Sequence, residues 1–83
     1  MEFELSHHAA QRMHQRKIQA AWIELTLAEP DRHENDLVDP TIRHALKRIG
    51  EIDDRILRVI YDPKCDPIRV ISVYFDRGMK GKL

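Results

Sequence analysis

The stretch R-I-L-R-V-I-Y-D-P-K-C-D-P-I-R-V-I-S-V-Y-F-D-R, Arg55 to Arg77, decides the fold. Its two apolar runs, Ile56–Tyr61 and Ile68–Phe75, are rich in Ile, Val and Tyr, which suit a pleated, half-buried surface. Between them stands Asp62-Pro63-Lys64-Cys65-Asp66-Pro67, whose prolines cannot donate to a ladder. The pattern predicts a β-hairpin at the centre of an antiparallel sheet. Alternation places Leu57, Val59 and Tyr61 on one side of the first strand, with Ile56, Arg58 and Ile60 on the other. In the second strand it groups Ile71, Val73 and Phe75 against Val70, Ser72 and Tyr74. Arg58 stands out, because a buried charge is costly unless paired. One sheet face is therefore expected to be partly open, with Arg58 the first residue to be given a task.

Outward from the hairpin, Phe3 and Leu5 alternate with Glu2 and Glu4 in a short first strand. Ser6 is a suitable N-cap for a helix from His7 to about Arg16, with Ala9, Ala10 and Met13 facing inward. His8, Arg12 and Arg16 fall on another stripe of that helix. A second helix runs from about Gln19 to Ala28, with Ile18, Trp22 and Leu25 as one apolar line and Ala21, Leu25 and Ala28 beside it. Pro30 ends it. Asp31–Asp39 reads as an edge strand around Arg32–Asn35 or as a loop. Thr41–Ile49 fits either a helical or an alternating period. We read it as a strand, because a turn at Gly50–Asp54 and a strand follow directly. The fold class is then α+β, in the order β-α-α-β-β-β, with a helical hairpin on one face of a small antiparallel sheet. A single domain spans residues 1–83, with 78–83 as a mobile tail.

Composition narrows the function classes. At 83 residues, with 42% apolar and 34% charged side chains, the chain reads as one small soluble globular domain. No apolar run reaches the roughly 20 residues of a membrane helix, and no leader pattern is present. The lone Cys65 makes no internal disulfide, in keeping with a cytoplasmic setting. The net charge of zero hides a split: residues 1–40 carry four Lys/Arg against eight Asp/Glu, and residues 41–83 carry ten against six. The basic half either serves phosphate-bearing partners or neutralises the acidic half across the fold. No Gly-rich phosphate loop, nucleophile elbow or metal-ligand spacing occurs, so no cofactor and no metal are expected.

Two motifs carry a family resemblance. Arg58-Val59-Ile60-Tyr61, followed by Val70-Ile71-Ser72-Val73 and Arg77, resembles the sheet of the RelE/ParE-type toxins of bacterial toxin–antitoxin modules, within a wider barnase/RelE-like nuclease fold. Ser6-x-His8-Ala9-x-x-Arg12-Met13-x-x-Arg16-x-Ile18 is similar to the opening of an uncharacterised bacterial domain family assigned to that fold. The resemblance implies a metal-independent endoribonuclease acting on mRNA, often on the ribosome, and neutralised by a cognate antitoxin. It implies that Arg58 contacts the scissile phosphate and Arg77 supplies a second arginine just past the last strand. The tyrosine that such toxins carry beyond that strand has no counterpart here, the tail being Met79-Lys80-Gly81-Lys82-Leu83. ParE-like members share the fold but poison gyrase, so a non-catalytic binding module or an inactive accessory domain stands as the alternative.

Metal-free RNA cleavage needs a base for the ribose 2′-hydroxyl, an acid for the 5′-oxygen and cations for the phosphorane. Histidine, with an ordinary pKa of about 6.5, suits the first two roles and arginine the third. The expected catalytic set is His8, Arg58, Arg77 and Tyr74, the tyrosine to donate a proton or stack on a base. Arg12, Arg16, Arg43, His44, Lys47 and Arg48 are expected to bind RNA. Each has a structural counter-reading. His8 can pack at the helix start, Arg12 and Arg16 can form a solvated stripe, and Tyr74 can be a rim aromatic.

Overall fold

Ser6 sets the geometry of the N-terminal third. In the computed structural model, which describes residues 2–83, strand β1 (Phe3–Leu5) ends where the Ser6 side chain accepts from the Ala9 N–H at 3.0 Å and caps helix α1 (His7–Gln15). The same hydroxyl donates to the Ile71 carbonyl at 3.0 Å, tying the helix start to the sheet. Lys17, at φ 54°, ends α1 in the left-handed region, and the Ile18 N–H returns to the Met13 carbonyl at 2.9 Å. Helix α2 (Ala20–Ala28) follows at once.

Four more strands complete the sheet: β2 (Arg32–Asn35), β3 (Arg43–Ile49), β4 (Arg55–Asp62) and β5 (Ile68–Phe75). Their spatial order is β1-β5-β4-β3-β2. The sheet is mixed, not antiparallel as the sequence reading had it, because β1 pairs parallel to β5, with Phe3 opposite Ile68 and Leu5 opposite Val70. With β1 at the edge beside the last strand, its pairing direction was invisible to a local reading. The remaining pairings are antiparallel. The segment that suited either period is a strand, β3, and the acidic stretch contains the edge strand β2.

Both helices cover one face. Ala9, Ile18, Trp22, Ile23 and Leu27 pack on Ala45, Ile49, Leu57, Val59, Tyr61, Val70, Val73 and Phe75. Two expectations about inward faces change. In β5, Val70 joins Val73 and Phe75 in the core while Ile71 is only half-buried, because the register slips where Ile60 faces Ser72 and Tyr61 faces Val70. The bulged residue shifts the alternation by one, so a period-two reading fails across it. In α2 the buried line is Trp22, Ile23, Thr26 and Leu27, whereas Leu25, Ala21 and Ala28 are exposed. The helix is apolar nearly all round, which leaves periodicity no phase to report. Ala10 in α1 is also exposed.

The chain past β5 opens with a 3₁₀ turn at Arg77–Met79, where Asp76 accepts from the Gly78 N–H at 3.0 Å. Lys80, in the stretch read as mobile, reaches Asp53 at 3.0 Å.

Candidate functional site

Antiparallel pairing puts every second residue of β2 to β5 on the face away from the helices. Arg58 sits at the centre of that face, directly opposite Leu46 on β3 and Tyr74 on β5. It is only 8% exposed, and Leu46 and Ile56 on the same face are fully buried. The centre of the face expected to be open is thus closed by side chains of its own.

Arg58 survives burial because it is saturated. Its Nε donates to Asp76 Oδ2 at 2.9 Å, and its Nη2 lies 2.8 Å from the same oxygen. Its Nη1 donates to Glu34 Oε1 at 2.8 Å and lies 2.8 Å from His44 Nδ1. A guanidinium has no acceptor, so Nδ1 of His44 must be the acceptor and the ring proton is on Nε2. That nitrogen meets Asp36 Oδ1 at 2.8 Å. Both ring nitrogens of His44 are therefore occupied, which leaves no lone pair to take a substrate proton. Burial works against the charge of Arg58, yet the hydrogen bonds that it donates to Glu34 and Asp76 outweigh it and hold its pKa above the ordinary value. Glu34 is held below the usual carboxylate range by its hydrogen bond from Arg58. Asp36 is lowered too, first by the Asp39 N–H and then by His44.

A cleft lies at the end of the sheet where β4 begins and β5 ends. It has a volume of about 490 Å³ and is lined by Asp53, Arg55, Ile56, Phe75, Asp76, Arg77 and Lys80. The Arg55 guanidinium lies 4.1 Å from the centre of the Phe75 ring, a cation–π contact. Arg77 is exposed and makes no ion pair among the described residues. Asp76 joins the two places, since it lines the cleft and holds Arg58.

The other expected site residues lie elsewhere. His8 is exposed at the start of α1 and reaches over the edge of β5 to Ser72 Oγ at 3.3 Å. Ser72 pairs with Ile60, so it shares a face with Arg58 and Tyr74, but it is four residues before Asp76, roughly 13 Å along the strand. Arg12 bonds Gln15 at 3.3 Å, and Arg16 caps the C-terminus of α1. Lys47 faces the helix side and donates to the Glu29 carbonyl at 2.8 Å. Arg48 lies 3.9 Å from Asp54, and Arg43 is exposed at the opposite end of β3 from the cleft. The residues that sequence reasoning missed are the anions: Glu34, Asp36 and Asp76. The one signal for them was Arg58 itself, whose burial requires such partners.

No group of three or more His, Cys, Asp or Glu among the described residues is placed to hold a metal ion. No helix among them is long and apolar enough to cross a membrane. A family model described as a domain of unknown function, DUF4258, matches residues 5–75. Neither the curated proteins nor the solved structures yield a match.

Proposed function

The chain belongs to the DUF4258 family, and from that premise we propose that it is a toxin-type module of RelE/ParE-like fold that acts by binding a macromolecular target. One observation carries the preference for binding over cleavage. The groups that would have to converge on a scissile phosphate are divided among separate places. His8 is at the edge of β5, Arg58 is locked between two carboxylates, and Arg77 is on the cleft. General acid–base work requires free groups within hydrogen-bond reach of one reacting group, and the guanidinium of Arg58 is already engaged by Glu34 and Asp76. The surface left for a target is the cleft with its free Arg77, together with the exposed cations around it. Part of the basic half is already used internally: Asp31, Glu34 and Asp36 engage Lys47, Arg58 and His44. A cognate antitoxin would bind the same end of the sheet and cover Arg77.

The metal-independent endoribonuclease reading has one observation in its favour. Tyr74 lies directly across from Arg58, and the His8–Ser72 pair is on the same face, so a proton donor and a histidine do share a surface. Induced expression in a bacterial host separates the two readings, with wild type compared with Arg77→Ala, His8→Ala and Tyr74→Phe. The expected outcome is growth arrest with intact total RNA, relieved by Arg77→Ala alone. Loss of RNA that His8→Ala or Tyr74→Phe abolishes would replace binding with cleavage. Normal growth with folded protein present would end the toxin reading altogether.

A further inference from the structure

On the outer face of the sheet, three carboxylates, Glu34, Asp36 and Asp76, share two permanent cations, Arg58 and Arg32. Negative charge is therefore in excess around His44, which stands among them with its side chain 13% exposed. Glu34 of β2 is directly opposite His44 across the ladder, which brings their Cβ atoms to about 5 Å. Asp36, in the loop after β2, meets Nε2, and Arg58 of β4 meets Nδ1, each at 2.8 Å. Ile60, the residue of β4 paired with His44, carries no charge, and both helices lie on the other face. Tyr74 of β5 and Asp76 just past it act on the ring through Arg58, the first opposite it and the second bonded to it.

Hydrogen-bonding capacity dictates what a second ring proton does here. Arg58 has donors and no acceptor, so its contact with His44 holds only while Nδ1 keeps a lone pair. An imidazolium donates from both nitrogens. With a proton from solvent on Nδ1, two donors face one another, and the acceptor they share is Glu34, now bonded to Arg58 Nη1 at 2.8 Å. Arg58 can release Glu34, because Asp76 Oδ2 holds it at two nitrogens, Nε at 2.9 Å and Nη2 at 2.8 Å. Nε2 keeps its proton and Asp36 in either state, so the bonds from the Val38 and Asp39 N–H groups to Asp36 are undisturbed.

We propose that His44 is a proton-operated switch, whose second proton transfers Glu34 from Arg58 to His44 and leaves Arg58 held by Asp76. Every charge keeps a partner in both states, so the switch alters geometry while the fold is kept. With His44 neutral, the guanidinium is clamped from two sides; with His44 charged, one side is free, beside Tyr74. Asp76 also lines the cleft and accepts from the Gly78 N–H at 3.0 Å, so the change reaches the cleft. The inference uses hydrogen-bonding capacity and charge alone, and it stands apart from the toxin reading.

NMR of the 15N-labelled full chain from about pH 8 to about pH 5, the ordinary range of histidine titration, tests it. Glu34 and Asp36, both held below their usual ranges, stay charged throughout that window. At its upper end the His44 ring should carry its proton on Nε2, with Nδ1 bare. As Nδ1 gains a proton, the Arg58 Nε–H and Gly78 N–H signals should shift with the same midpoint. The separate Nη signals of a clamped guanidinium should merge, while the Val38 and Asp39 N–H signals hold still. His44→Gln, whose amide can meet Arg58 and Asp36 but takes no proton, should abolish the shifts. His33→Gln, at an exposed position of β2, should leave them intact. A ring that stays neutral to the lower end, a protonated ring with Arg58 unchanged, or shifts that persist in His44→Gln or vanish in His33→Gln would each overturn the proposal. Should His44→Gln fail to fold, the wild-type ring and guanidinium signals decide it alone.

Discussion

Arg58 shows how the fold can accommodate a charge in the middle of a strand. A charge in the middle of a strand has two solutions, an open surface or a full set of partners, and the sequence pattern does not distinguish them. Here Glu34 on β2, His44 on β3 and Asp76 just past β5 supply the partners. Breaking such a group is costlier than never having built it, because the carboxylates are left facing one another without a cation. Arg58→Ala should therefore destabilise the fold by about 3 kcal/mol, whereas Arg58→Ala combined with Glu34→Gln and Asp76→Asn should recover part of that loss. Urea unfolding measures both. If Arg58→Ala unfolds at the wild-type midpoint, the network is not what keeps the arginine buried. Arg58→Ala is accordingly a poor probe of activity, and Arg77, exposed and unpaired among the described residues, is the better one.

At the scale of elements, the end of α1 is the clearest case of a local rule being broken. Lys17 occupies the left-handed position at which helices favour glycine, since a Cβ there is strained. Lys17→Gly should raise stability by roughly 0.5–1 kcal/mol, readable as a higher melting temperature. An unchanged or lower value would show that the Lys17 side chain offsets its backbone strain. The elements themselves were largely legible. Ser6 marked the start of α1, Pro30 followed the end of α2, and the Pro-rich break at 62–67 separated β4 from β5. Phase was legible only where apolar and polar residues alternate cleanly. The bulge at Ile71 and the uniformly apolar α2 each remove that signal, one by shifting the period and the other by erasing it. The candidate site was half legible: Arg77 on the cleft and Tyr74 beside Arg58 follow from strand register, but Glu34 and Asp76 reach Arg58 only through the sheet.

For the molecule as a whole, acid is the condition that should expose its electrostatics. Glu34, Asp36, Asp39 and Asp62 all have pKa values lowered in the folded state, chiefly by hydrogen bonds from Arg58, the Asp39 N–H, Thr41 and Lys64 respectively. A lowered folded pKa means that the unfolded chain binds protons first. The stabilisation is present above the unfolded values of 4.5 for Glu and 3.8 for Asp and is lost as pH falls through the folded ones. The melting temperature should hold from neutrality down to about pH 5 and then fall, with a smaller fall for Glu34→Gln. A melting temperature that stays level down to pH 3 would contradict the assignment. The parallel pairing of β1 with β5 has another bearing, on the order in which the chain can become a protein. Phe3 finds its neighbour at Ile68, and Ser6 its carbonyl acceptors at Val70 and Ile71. Of the five strands of this sheet, the earliest made must therefore wait for the latest. Until that strand emerges, the helical hairpin has only part of the sheet it covers, and the nascent chain holds an unfinished core with one edge unpaired.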